Sequence, residues 1–364
     1  MTSILLHAEG ISARRGARTV LEPCTLSIAP GDRVAIYGPN GAGKSTMLQA
    51  LAGLLPVASG SIAFRGRKLG QALSLLDFHR QTAAVFQEPL LLRGTVRHNV
   101  ELGLVLRGVE AAERVARVEP WLERLHIAHL ADRSVSALSG GEAQRTSLAR
   151  ALVLEPEIFF LDEPFAALDA PTRARLAEEL ADILDERKIA TLFVTHDIDE
   201  AAQMCDRCVV IDAGRVLQQA DMSEVLGRPA SARVADIIGL PNVFQGRVIE
   251  TTHEGTWLDW CGHRIRTTAQ ARAGADVTFL IRPEQIRLQG RREEGANRLP
   301  GHVEQARRGG RRRFVVTGVG GPHRIAMSFA HDDHALPGDE VAILFPPDAV
   351  WIFPEQDPGP DESR

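Results

Sequence analysis

The stretch Gly38-Pro39-Asn40-Gly41-Ala42-Gly43-Lys44-Ser45-Thr46 sets three glycines before a lysine and two hydroxyls, a composition suited to holding a polyphosphate. Gly38, Gly41 and Gly43 admit backbone conformations that a β-carbon resists, so successive N–H groups can converge on an anion at a helix N-terminus. Lys44 then reaches the outer phosphates, and Ser45 offers its hydroxyl to Mg²⁺. Further along, Ile158-Phe159-Phe160-Leu161 runs into Asp162-Glu163, which places two carboxylates at the end of an apolar strand, where the ligand sites of open α/β sheets lie. Asp162 is suited to the hydrated Mg²⁺, and Glu163 to polarising a water aligned on the terminal phosphate. A second glycine turn, Ser139-Gly140-Gly141, opens another helix and makes a second anion site far along the chain. One nucleotide can use both turns only if the fold, or a second subunit, brings them together.

The elements around these residues read as alternating strands and helices. Arg33 to Tyr37 is a buried strand leading into the glycine loop, and Met47-Leu48, Leu51-Ala52 and Leu54-Leu55 recur with helical spacing after it. Further strands are expected at Ile158 to Leu161, Leu192 to Thr195 and Cys208 to Ile211, with Leu176, Leu180, Ile183 and Leu184 marking a helix between two of them. That alternation predicts a doubly wound, mainly parallel sheet over residues 1–235. An inserted helical subdomain is expected at about 88–150, with helices around Val96 to Leu106 and Ala111 to Leu125. Beyond Pro241 the apolar residues alternate, as in Val277, Phe279, Ile281 and again Val341, Ile343, Phe345, which predicts an all-β domain over 240–355 built as an antiparallel barrel. Asn242-Val243-Phe244-Gln245-Gly246-Arg247-Val248 returns in outline as Asn297-Arg298-Leu299-Pro300-Gly301-His302-Val303, a weak internal repeat. Residues 356–364, rich in Pro, Asp and Glu, are expected to be a disordered tail.

Taken together, these residues resemble the ATP-binding cassette (ABC) family of transport ATPases. Gly38 to Thr46 resembles its Walker A motif, Leu138 to Arg145 its signature motif, and Ile158 to Glu163 its Walker B motif. Gln87, Ala167-Leu168-Asp169 and Thr195-His196-Asp197 stand where the family has its Q-loop, D-loop and switch histidine. The resemblance implies ATP and Mg²⁺ as ligands, with Gln87 joining Ser45 and Asp162 around the metal, and Lys44, Gln87, Glu163 and His196 serving hydrolysis. It further implies a head-to-tail homodimer in which Ser139, Gly140, Gly141 and Asp169 of one subunit close over ATP held by the other. Two positions depart from the pattern. Glu142 replaces the usual glutamine of the signature, and Arg15 stands where an aromatic ring commonly stacks on adenine. A guanidinium plane can also stack on a π-face, a contact of a different kind. The C-terminal part, with Ile281-Arg282-Pro283-Glu284, resembles the TOBE extension of importer cassettes, and so implies permease subunits and an extracytoplasmic solute-binding protein as partners. Among such cassettes the likeness is to molybdate, tungstate or sulfate importers, with polyamine and ferric-iron importers close behind. An oxyanion site at Arg307, Arg308, Arg311, Arg312 and Arg313 around Gly309-Gly310 is one reading, and simple solvation of an exposed turn is the other.

Composition bounds what else the chain could be. With 364 residues, 44% hydrophobic and 24% charged, it can bury a large core without disulfides. A net charge of -5 argues against general nucleic-acid binding. No apolar run is long enough to span a bilayer and the first residues do not read as a signal peptide, so the expected place is the cytoplasmic face of the membrane, attached to a permease. A cassette ATPase acting on DNA or the ribosome is the runner-up from another class, against which stand the missing heptad pattern and the single cassette. Cys205-x-x-Cys208 suggests zinc or redox chemistry only faintly: no second ligand pair has matching spacing, and Cys208 opens a buried strand.

Overall fold

The computed structural model describes residues 4–289, 297–309, 312–319, 323–330 and 336–354. The expected tail at 356–364 and the turn residues Gly310 and Arg311 lie outside the described residues. Contacts divide the chain into two compact units, Met1–Ser223 and Glu224–Arg364.

In the first unit, strands β1 (Leu6–Arg15), β2 (Arg18–Ile28), β4 (Ser59–Phe64) and β5 (Arg67–Lys68) form an antiparallel sheet in the order β2-β1-β4-β5. The main sheet has the order β10-β9-β3-β8-β7-β6, from β3 (Arg33–Tyr37), β6 (Thr82–Val85), β7 (Ile158–Asp162), β8 (Ala190–Thr195), β9 (Arg207–Asp212) and β10 (Arg215–Asp221). Its inner pairs are parallel, and β10 turns back antiparallel on β9. Helix α1 (Lys44–Leu51) follows β3, and α2 (Leu75–Gln81) precedes β6. Helices α3 (Val96–Leu106), α4 (Ala111–Arg124) and α5 (Gly140–Leu152) build the helical insertion between β6 and β7, as the periodicity predicts. Helices α6 (Ala170–Arg187) and α7 (Ile198–Met204) flank β8.

The N-terminal antiparallel sheet is absent from the sequence reading, for a local reason. Gly10 has φ 56, and the pairing of β1 with β2 slips between Ala8 and Ile11. Leu6 and Ala8 therefore point to the core in one phase, and Ile11 and Ala13 in the other, so no continuous alternation runs through the strand. Strands β3, β7 and β8 are buried over almost their whole length because both faces of the central sheet are covered, and Val34, Ile36, Ile158, Phe160, Leu192 and Val194 join the helix and β1–β2 side chains in one core. Cys24, Cys205 and Cys208 are buried free thiols, and burial pushes Cys208 up to about 12, which fits packing rather than metal or redox work.

Helix α8 (Met222–Gly227) spans the division between units, and α9 (Ala232–Ile237) belongs to the second. Ala235 packs with Leu280 and Phe353, which moves the division upstream of the expected 235. The second unit contains β11 (Val243–Thr252), β12 (Gly255–Trp260), β13 (His263–Thr267), β14 (Asp276–Ile281), β15 (Arg287–Gln289), β16 (Asn297–Gly309), β17 (Arg312–Gly318), β18 (Arg324–Ala330), β19 (Glu340–Phe345) and β20 (Val350–Ile352). One antiparallel sheet has the order β13-β12-β11-β14-β20 and the other β18-β17-β16-β19-β15. The two orders are the same pattern twice, with the short strands β15 and β20 exchanged between the sheets. Both sheets feed one core, including Val248, Leu258 and Phe279 from the first and Val303, Ile325 and Ile343 from the second.

The internal repeat has a physical meaning in this arrangement. Asn242 donates to Ala326 O at 2.7 Å and accepts from Ala326 N at 2.7 Å, clamping β18 of the opposite sheet. Asn297 does the same to Arg266 on β13, accepting at 2.6 Å and donating at 2.9 Å. Gly246 and Gly301, at matching positions, leave room for Phe279 and Ile343 respectively, which a β-carbon would meet at 3.0 and 2.9 Å.

Candidate functional site

Strand β3 delivers the chain to Gly38, whose β-carbon would stand 2.1 Å from the Ile211 carbonyl oxygen, so the loop lies flat against β9. Gly41 and Gly43 have φ 79 and 103. Gly43 occupies the N-cap of α1, and no side chain caps that helix. Its first-turn N–H groups and positive dipole end are thus presented to the loop cavity, which is the condition for receiving an anion.

Lys44 is 5% exposed, and its Nζ donates to Gly38 O at 2.9 Å and Pro39 O at 3.1 Å. Burial lowers its pKa, opposed by the nearby carboxylates of Glu163 and Asp162. Asp162 closes β7 with 8% exposure and accepts from Ser45 Oγ at 2.8 Å. Burial raises the Asp162 carboxyl, the Ser45 hydrogen bond lowers it, and the charge of Glu163 raises it again. Glu163 follows with φ 46, a left-handed conformation uncommon outside glycine, while its N–H still bonds Val194 O at 3.0 Å. That turn points its carboxylate between two partners: Oε1 is 3.9 Å from Lys44 Nζ, and Oε2 is 3.1 Å from His196 Nδ1. Ser45 and Asp162 offer only oxygen donors at the phosphate end, which suits Mg²⁺, an ion usually held by one or two protein oxygens together with the substrate's own phosphates.

A cavity of about 270 Å³ is lined by Asn40, Gly41 and Gly43 to Thr46 of the loop, by Glu163, and by Arg15 and Val20. Arg15 ends β1 opposite Arg18, and its Nη2 lies 3.4 Å from Gln49 Oε1 on α1. Val20 went unnoticed in the sequence, where a single valine in a strand carries no signal of a ligand. Gln87 lies two residues beyond β6, exposed and outside this cavity. Its strand pairs with β7 through Val85 and Leu161, so Gln87 and Glu163 leave neighbouring strands at the same level.

The second glycine turn is finished differently. Ser139 caps α5 in a reciprocal box: its N–H donates to Glu142 Oε2 at 2.7 Å, and Glu142 N donates to Ser139 Oγ at 3.4 Å. The departure at Glu142 thus supplies the acidic partner of the box, and the Ser139 N–H holds its carboxyl below the usual carboxylate range. Gly140 and Gly141 approach Ala167 and Thr172, and a cavity of about 390 Å³ is lined by Ser139 to Glu142 and by Asp169 and Thr172. Asp169 caps α6 through Thr172 N at 3.0 Å. The fold therefore gathers Arg15, Asn40 to Thr46, Asp162, Glu163 and His196 in one place, and Ser139, Gly140, Gly141 and Asp169 in another.

Residues 21–166 match the ABC transporter family and residues 279–353 the TOBE domain. The Fe(3+) ions import ATP-binding protein FbpC of Streptomyces coelicolor is 37% identical over 289 residues, 79% of this chain and 80% of its own length. The chain belongs to the ABC transporter family. The sulfate/thiosulfate import ATP-binding protein CysA of Thermosynechococcus vestitus is 41% identical over 249 residues, 68% of this ABC protein and 73% of the relative. Among solved structures, cbiO1 of Clostridium perfringens, part of the ABC transporter complex cbiONQ, superposes with TM-score 0.57 and 30% identity over 64% of this chain and 95% of that one. The family and the phosphate cradle make this ABC protein an ATPase with a TOBE domain at its C-terminal side. Among the described residues, no helix is long and apolar enough to cross a membrane.

Proposed function

We propose that this chain is the ATP-hydrolysing subunit of a bacterial importer, acting as a homodimer beneath permease subunits at the cytoplasmic face of the membrane. The observation that carries this reading is the likeness to import ATP-binding proteins through both units, covering 80% of the length of the iron relative. In the reaction, Lys44 exchanges its bonds to Gly38 and Pro39 carbonyls for the phosphates. Ser45 and Asp162 would hold Mg²⁺, which would neutralise charge on the phosphates, and Gln87 is the proposed third contact from the edge of the sheet. Glu163 orients the attacking water, and His196 steadies that carboxylate from Nδ1. Arg15 and Val20, which line the cavity together with the glycine loop, would pack against adenine. The separate cavity at Ser139 to Gly141 supports closure over a partner's nucleotide, with Asp169 beside it.

Permease contact is assigned to the segment after Gln87. Glu88, Pro89, Leu90, Leu91 and Arg93 line a groove of about 720 Å³ with Ser134 to Ser136 on its other side. Arg150 donates to Pro89 O and Leu90 O at 2.8 Å each, and Asn99 bonds both N and O of Leu92, so the loop is held in shape while Leu90 and Leu92 stay 57% and 53% exposed.

For the solute we propose an oxyanion. Of the molybdate, tungstate and sulfate importers that the sequence resembles, the relatives' names favour sulfate or thiosulfate, and the iron relative favours Fe³⁺ as the second reading. The arginine side chains at 307, 308 and 311–313 lie outside the described residues and lend no geometric support to an anion site. The test is uptake after deletion of the gene in its host. Lost sulfate uptake with normal iron uptake supports the oxyanion reading, lost ferric uptake alone replaces it with iron, and no change in any solute overturns import. Copurification of two permease subunits with the tagged chain is the accompanying result, and a ribosome in their place would contradict it.

A further inference from the structure

The loop after β7 carries Glu163 and, further on, Asp169, while the loop after β8 carries His196. Glu163 and His196 touch at 3.1 Å on the side facing the nucleotide cavity. Behind them a second fastening connects the same two loops. Arg173 on α6 donates from Nη2 to the carbonyl of Leu168 at 3.1 Å, immediately before Asp169. Its Nη1 lies 3.5 Å from Glu200 Oε1, and Glu200 Oε2 accepts from Thr195 Oγ1 at 2.7 Å, immediately before His196. Thr195 Oγ1 in turn accepts from Asp197 N at 3.0 Å, so His196 is held from both flanking residues. Asp197 Oδ1 completes the ring by capping Asp199 N and Glu200 N.

This chain of contacts is placed where its cost needs a reason. The Glu200 side chain is only 13% exposed, so its charge requires the partner it has in Arg173. Arg173 spends two nitrogens on the link and leaves Nε buried without a hydrogen-bond partner. A guanidinium serving packing alone would find an easier place for that N–H at the surface.

We propose that Arg173 and Glu200 are positioning residues that join the Leu168–Asp169 turn to the Thr195–His196 turn, so that the two loops reach their reactive arrangement together. The proposal rests on the reading that Glu163 and His196 serve hydrolysis. Neither residue touches nucleotide in this account, so the expected signature is a loss of turnover with little change in ATP affinity.

Steady-state ATPase kinetics on the full chain test it. Arg173→Ala and Glu200→Ala should each lower kcat about tenfold or more while KM for ATP stays within about threefold, and the double variant should lose no more than the worse single one. Thr195→Val, which removes the hydroxyl at constant shape, should show the same fall, and Thr195→Ser should restore the rate; this pair decides the matter if the Glu200 variant does not fold. Turnover within about twofold of the parent in the single variants, a parallel rise in KM, or additive losses in the double variant would overturn the link. If His196→Ala loses turnover and Glu200→Ala does not, the link alone fails. If His196→Ala hydrolyses ATP normally, the underlying reading of the site fails instead.

Discussion

Two glycine turns open helices in this chain, and they are completed in opposite ways. At α1 the N-cap is Gly43, no side chain satisfies the first turn, and the charged groups nearby are buried, with Lys44 5% and Asp162 8% exposed. At α5 the N-cap is Ser139, which satisfies its own turn through Glu142, and the residues remain at the surface beside Asp169. The first turn offers its N–H groups and Lys44 to an anion within one chain. The second already has an acceptor in its own serine, held at a long 3.4 Å, and among the described residues its cavity has no lysine in its lining. A turn built that way can exchange a weak internal bond for a phosphate brought from outside, which is what the proposed dimer supplies.

The largest expected effect comes from the carboxylate that lines the cavity of the first turn. Glu163→Gln should lower turnover by about a hundredfold or more while ATP binding persists, since the amide keeps the shape but loses the charge that orients water. Near-normal hydrolysis in that variant would remove Glu163 from its role. Lys44→Ala should instead weaken ATP binding by roughly tenfold or more, because it deletes a charge-assisted contact to the phosphates; equal nucleotide affinity by calorimetry would contradict the cradle reading.

Ser139→Ala separates the two turns more finely. It should leave ATP binding to the free chain unchanged and reduce turnover, with a stability cost of about 0.5–1 kcal/mol for the lost cap by thermal denaturation. Mixing this variant with Lys44→Ala should recover activity above either alone, since a mixed dimer keeps one intact composite site. No recovery would argue that each chain completes its own site. The smallest effect is at the adenine end: Arg15→Ala should raise KM for ATP by a few fold, and Arg15→Tyr should restore it. Identical constants in all three proteins would make Arg15 a surface charge and nothing more.

The same contrast explains what could be read from the residues alone. The cradle was legible because phosphate chemistry dictates residue types at fixed spacing, and helices α3 and α4 because apolar residues recur along them at helical spacing. Strand β1 was hidden by the slip at Gly10, which breaks its alternation into two phases. The sequence suggests backbone freedom as the reason for Gly38, whereas its place is set by the Ile211 carbonyl against which it packs. The Asn242 and Asn297 repeat was visible as a pattern, but its purpose depends on strands β13 and β18, which are far from either asparagine in sequence. Val20, Arg173 and Glu200 carried no signal at all, because each acquires its neighbours in the site only when separate elements meet.

The most direct measurement of the whole account is the mass in solution of Glu163→Gln with Mg²⁺, comparing ATP with ADP by light scattering on a sizing column. The variant should run at twice the mass of the chain with ATP and at the mass of one chain with ADP, with unhydrolysed ATP recovered from the larger species. A protein that stays at the mass of one chain with ATP bound, or that releases ADP at the parent's rate, would contradict it.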